Sequence, residues 1–86
     1  MKVKIASPLH GYTKGQSEIE IHKDSLEEVI DELDHTFPGI KFRFIDEQDH
    51  IRKHMTIFVN GIVVKSIFMP LKENSEIFIV QLISGG

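Results

Sequence analysis

The sequence predicts an α+β roll, a mixed sheet of four to five strands with one principal helix packed across one face. Three observations lead there. Apolar residues alternate with polar ones near the N-terminus, fall onto a helical period in the middle, and return as β-branched and aromatic runs toward the C-terminus. Lys2 to Ala6 alternates with Val3 and Ile5 on one side, the period-two pattern of a half-buried strand. Ser7-Pro8 and the stretch from Gly11 to Gly15 carry turn chemistry, and Glu18 to His22 alternates again, so the first two strands form a hairpin with a long connection.

From Leu26 the period changes. Leu26, Val29, Ile30, Leu33 and Phe37 follow i, i+3, i+4, i+7 and i+11, one face of an α-helix. Ser25, with Glu28 three residues on, predicts a capping box in which hydroxyl and carboxylate each satisfy a free backbone N–H. Pro38-Gly39 stops the helix, because proline disfavours helical geometry in the residue before it and glycine accepts the left-handed turn. Ile40 to Asp46 fits a short strand or an irregular helical turn equally well. Met55 to Val64 is β-branched and aromatic, broken by Asn60-Gly61, the dipeptide best suited to a two-residue hairpin turn. Pro70, Asn74 and Ser75 mark another connection. Glu76 to Ile83 is a near-continuous apolar run, which predicts a strand covered on both faces or lying at the sheet centre.

With 86 residues, 41% of them hydrophobic, the chain is sized for one core, and a single domain over 1–86 is expected. Ten Lys and Arg against 13 Asp and Glu give a formal charge of −3, which makes nucleic acid and anionic membranes poor partners. There is no cysteine, hence no disulfide, thiolate nucleophile or Cys-ligated metal. No apolar run is long enough for a signal peptide or a membrane span, so a cytoplasmic protein is expected.

The sequence ends Leu82-Ile83-Ser84-Gly85-Gly86. A first strand beside the last, with the helix across one face, is the β-grasp arrangement of ubiquitin, and this order of elements permits it. A β-grasp domain followed by Gly-Gly resembles the MoaD/ThiS-type sulfur carriers over essentially the whole chain. Ser25 to Leu33 is similar to the family's helix opening and Phe37-Pro38-Gly39-Ile40 to its exit. Phe58-Val59-Asn60-Gly61 is similar to its "vfVNg" strand end, Leu71 to Ile77 to "LkdGDeV", and Ser84-Gly85-Gly86 to its "sGG" tail. The spacer Ile45 to His54 is nearer the longer CysO-like branch. Two departures stand out: Asn74-Ser75 replaces a Gly-Asp turn, and Gln81 stands where many members have proline. The second leaves the partner enzyme open.

The resemblance implies a carrier rather than an enzyme. Its working group would be the C-terminal carboxylate of Gly86, adenylated and then converted to a thiocarboxylate, with Gly85 and Ser84 recognised as part of a flexible tail over 83–86. The chain itself would hold no cofactor, ATP being used by a ubiquitin-activating-type adenylating enzyme. A sulfur donor and a downstream synthase or sulfhydrylase would complete the set of partners, in molybdopterin, thiamin or cysteine and methionine synthesis. Such carriers offer an apolar sheet patch, for which Phe58, Phe68, Met69 and Leu82 are candidates; for Phe58, Ile67, Phe68 and Met69 burial in the core is the competing reading. A ubiquitin-like interaction domain that is never activated, and a protein modifier, are the alternatives.

The remaining polar residues suggest less. His50 and His54 sit four apart without a third ligand at metal-site spacing, so a solvated connection and no metal are expected. Asp46, Glu47 and Asp49 lack the glycine and closing glutamate of a calcium loop and read as a solvated charge run. Lys41, Arg43, Arg52 and Lys53 suit either an acidic partner or ordinary surface.

Overall fold

The computed structural model describes residues 1–82. The first strand, β1 (Lys2–Ile5), pairs antiparallel with β2 (Glu18–Glu20) across a long connection that opens with a single 3₁₀ turn at Ser7–Leu9. The principal helix, α1 (Leu26–Thr36), is followed by a short helix, α2 (Lys41–Phe44). A hairpin of β3 (Met55–Val59) and β4 (Ile62–Val63) leads to the last strand, β5 (Glu76–Gln81). The sheet order is β2-β1-β5-β3-β4, with β5 parallel to β1 and antiparallel to β3.

The last strand is therefore central, as its composition predicts, but it is covered on one face only. Ile77 and Ile79 are buried while Glu76 and Phe78 are exposed. The continuous apolar run hides an ordinary alternation, because hydrophobic side chains occupy both faces. On the covered side, Leu26, Val29, Ile30 and Leu33 of α1 share one buried cluster with Val3, Ile5, Ile57, Ile77 and Ile79. Each such side chain contributes about 1.5–3 kcal/mol when fully buried. That transfer free energy, rather than intrinsic propensity, holds an 11-residue helix that would be marginal alone.

The helix start differs in one detail from the expected capping box. Ser25 Oγ accepts the Glu28 N–H at 3.2 Å, but the Glu28 carboxylate accepts the Ser25 hydroxyl at 2.9 Å instead of the Ser25 backbone N–H. At the far end Phe37 leaves helical geometry before Pro38, and Gly39 takes φ +96°. The hairpin turn is formed by Asn60 at φ 52° and Gly61 at φ 82°, both positive as a two-residue turn of this hand requires. Asn74 also takes positive φ, 64°, and Ser75 donates its hydroxyl to Lys72 O at 2.6 Å, so the Asn-Ser pair makes the turn that Gly-Asp would.

Residues 41–44 resolve as a helical turn, for reasons outside their own periodicity. One carboxylate oxygen of Asp34, on α1, accepts the N–H groups of both Gly39 and Lys41 at 3.1 and 3.0 Å. Lys41 reaches back to Asp31 at 3.0 Å, an ion pair that raises the lysine's pKa. Ile40, Phe44 and Ile45 are thereby driven into the core and Phe42 outward, 56% exposed. Phe44→Ala should cost about 3–5 kcal/mol in denaturant unfolding, whereas Phe42→Ala should cost under about 1 kcal/mol; equal losses would contradict this placement.

Candidate functional site

The central strand fixes where the chain leaves the fold. Gln81 still pairs with Met55, and the Leu82 N–H donates to His54 O at 2.7 Å. The strand thus exits beside the start of β3 and next to the loop that precedes it. Gly86, Gly85, Ser84 and the whole tail over 83–86 lie outside the described residues.

The exposed sheet face is partitioned across the strands. Glu18, Lys4, Phe78, Phe58 and Val63 stand opposite one another in register from β2 to β4. The β2–β1 side is charged and internally paired, Lys2 with Glu18 at 3.8 Å and Lys4 with Glu76 at 3.4 Å. The other side is apolar. Phe78 and Phe58 are directly opposed, a cross-strand aromatic pair. Val63 flanks Phe58, Val80 stands opposite Thr56, and Leu82 continues the outward alternation of β5, 50% exposed.

Of the four residues expected on such a patch, Phe58 and Leu82 lie on this face. Phe68 is exposed, at 59%, on the connection between β4 and β5. Met69 is half-buried and packs on the core, its carbonyl accepting the Leu26 N–H at 3.0 Å. Ile67 is fully buried. Sequence reasoning missed Phe78, Val80 and Val63. Their signal was the parity of Phe78 and Val80 with the charged Glu76, masked by reading the run as covered on both faces.

The loop before β3 is more ordered than a solvated charge run. One Asp46 carboxylate oxygen accepts the N–H groups of Gln48 and His50, both at 2.9 Å, and Ile45 bridges to Ile51. Arg52 donates its Nε–H to Phe42 O at 2.8 Å and stacks 4.5 Å over the Phe42 ring. His50, Arg52, Lys53, Thr56, Val63 and Lys65 are among the residues lining a shallow groove of about 290 Å³ beside the exit. Among the described residues, no three His, Asp or Glu side chains converge as a metal site would need.

Residues 3–86 match the family model described as the ThiS family. The chain belongs to the ThiS family. This is a family of small ubiquitin-like sulfur carriers rather than enzymes. Its fold is shared with CysO in the Amycolatopsis orientalis BexX/CysO complex, 24% identical, at a TM-score of 0.90 over 99% of this chain and 98% of that one. Mycobacterium tuberculosis CysO is 23% identical, with a TM-score of 0.88 over 95% and 98% of the two chains. The small archaeal modifier protein 1 of Methanosarcina acetivorans is also 23% identical, with a TM-score of 0.80 over 99% and 94%. These likenesses establish the β-grasp, ubiquitin-like fold. No curated protein matches the sequence. Among the described residues, no helix of this ThiS-family chain is long and apolar enough to cross a membrane.

The loop that flanks the exit carries a pH signature. Hydrogen bonds from the His50 and Gln48 backbone N–H groups hold the Asp46 carboxyl below its ordinary pKa. A folded value below the unfolded one stabilises the fold above the ordinary aspartate range, and that stabilisation is lost as pH falls through the folded value. Asp46→Asn should therefore lower the melting temperature at pH 7, and the gap to the parent chain should close below about pH 4. A gap that stays constant across that range in thermal melts would contradict the assignment.

Proposed function

We propose that the chain carries sulfur on the carboxylate of Gly86. The family match, which runs through Gly85-Gly86, is the observation that supports this most strongly. A carboxylate is a poor electrophile, so it must first be joined to a good leaving group. Attack of the Gly86 carboxylate on the α-phosphate of ATP, on a separate adenylating enzyme, forms an acyl-adenylate and releases pyrophosphate. Hydrosulfide then adds to the acyl carbon: a C–S bond forms, the C–O bond to AMP breaks, and AMP leaves with the electron pair. The product is a thiocarboxylate able to act as a sulfur nucleophile for a downstream synthase or sulfhydrylase.

The fold suits this role. A tail that must reach a nucleotide through a narrow channel benefits from residues without Cβ, and Gly85-Gly86 supplies two. The strand before it is held on both edges as far as Ile79 and by β3 through Gln81, so the tail's origin is fixed relative to the apolar face. The longer spacer over 45–54 is nearer the CysO-like branch of such carriers. Likeness to a small archaeal modifier favours, as a second reading, transfer of the same activated acyl group to protein lysines.

Incubation of the purified chain with its adenylating enzyme, Mg-ATP and sulfide should raise its intact mass by one sulfur less one oxygen. Adding a single residue after Gly86, or replacing Gly86 with Trp, should abolish the gain while the circular dichroism spectrum stays unchanged. Full conversion of either variant would overturn the proposal. Conjugates of higher mass in cell extract, without the sulfur exchange, would favour the modifier reading.

A further inference from the structure

We infer that Arg52, Lys53 and Lys65 form a cationic collar at the strand exit that docks onto an acidic surface of the adenylating enzyme. The inference rests on the sulfur-carrier reading above and adds to it the charge that the partner must present.

Four of the ten lysines and arginines of this net-acidic chain are paired with carboxylates among the described residues. Lys2, Lys4, Lys23 and Lys41 pair with Glu18, Glu76, Glu32 and Asp31 at 3.8, 3.4, 4.0 and 3.0 Å. Arg52, Lys53 and Lys65, like Lys14, Arg43 and Lys72, take part in no ion pair among the described residues; what sets these three apart is that all line the groove beside the exit. Of the carboxylates of the same loop, Asp46 accepts backbone N–H groups and faces the charge of Arg52, Asp49 lies 3.8 Å from Lys41, and Glu47 is exposed with no ion pair among the described residues. Asp46 offsets part of the charge of Arg52, but Lys53 and Lys65 have no counter-charge among the described residues, and an acidic partner would supply it.

Position gives the collar its meaning. Thr56 and Val63 belong both to the groove and to the exposed sheet face, so the cations rim the apolar band of Phe58, Phe78 and Val80. An apolar centre with a charged rim is the general anatomy of a protein interface. Arg52 is pre-set by its bond to Phe42 O and its stacking on the Phe42 ring, so less side-chain freedom is lost on docking. Nucleic acid fits poorly, since the other half of the same face alternates in sign and the chain carries −3 overall. Charges on a rim chiefly steer encounter and select the partner.

The test measures pyrophosphate release by the adenylating enzyme of the same genome as the concentration of this chain is varied, at several NaCl concentrations. Lys53→Glu/Lys65→Glu removes two cations whose side chains make no bond among the described residues; Lys14→Glu/Lys72→Glu makes the same change of net charge away from the groove. The collar variant should raise KM about tenfold or more at low salt, with kcat unchanged and its salt dependence flattened, while the control stays near the parent. Arg52→Glu should act in the same direction, and the parent's own KM should rise with salt. Equal KM and equal salt dependence for the two double variants, with melting temperatures like the parent's, would overturn the collar and leave the carrier reading intact. Failure of the parent chain to be activated at all would overturn the carrier reading itself, and the collar with it.

Discussion

The clamping of β5 between β1 and β3 is the constraint on which the rest of the molecule depends. A parallel ladder on one edge and an antiparallel ladder on the other satisfy the strand's backbone on both sides. Its inward side chains, Ile77 and Ile79, sit at the centre of the cluster built by α1. The β1 ladder ends at Ile79, and from there the β3 side alone holds the strand through Gln81 to Leu82, which still donates to His54 O. An edge strand would fray at that point and deliver whatever follows it from a variable origin.

One helix across one face leaves the other face to be managed. Lys2, Lys4, Glu18 and Glu76 keep the β2–β1 half solvated through paired charges. Across β5, β3 and β4 the surface instead carries Phe58, Phe78, Val80 and Val63, and leaving such a band exposed costs solubility unless a partner covers it. Arg52 and Lys53, which border the band together with Lys65 from the β4–β5 connection, sit on a loop ordered by Asp46 and by the contact of Arg52 with Phe42. Sheet and loop are thus two independent pieces of sequence that meet at one place, the strand exit.

Much of this was legible in the residues. The α1 period, the Ser25 cap, the Pro38-Gly39 stop and the Asn60-Gly61 turn are local signals: local geometry decides the cap, the stop and the turn, and the apolar period of α1 marks the face that the core buries. The short helix at 41–44 was not legible, because what selects it is Asp34 on α1 binding two N–H groups across the break. Phe78 and Val80 were misjudged for a related reason: alternation cannot be seen when both faces of a strand are apolar, and only the sheet order shows that one face is open. Ser25 itself kept its place as cap but traded the expected Glu28 bond for one between the two side chains. At the exit, sequence showed Arg52 and Lys53 as cations near the hairpin, while their company with Lys65 depends on the fold.

The most direct test of the account is an amide NMR titration of the labelled chain with its adenylating enzyme. Broadening should centre on Thr56, Phe58, Phe78, Val80 and Leu82 and on the 50–54 loop, with the outward amides of α1 from Glu27 to Thr36 unaffected. Broadening centred on α1, with the open sheet face unchanged, would contradict it.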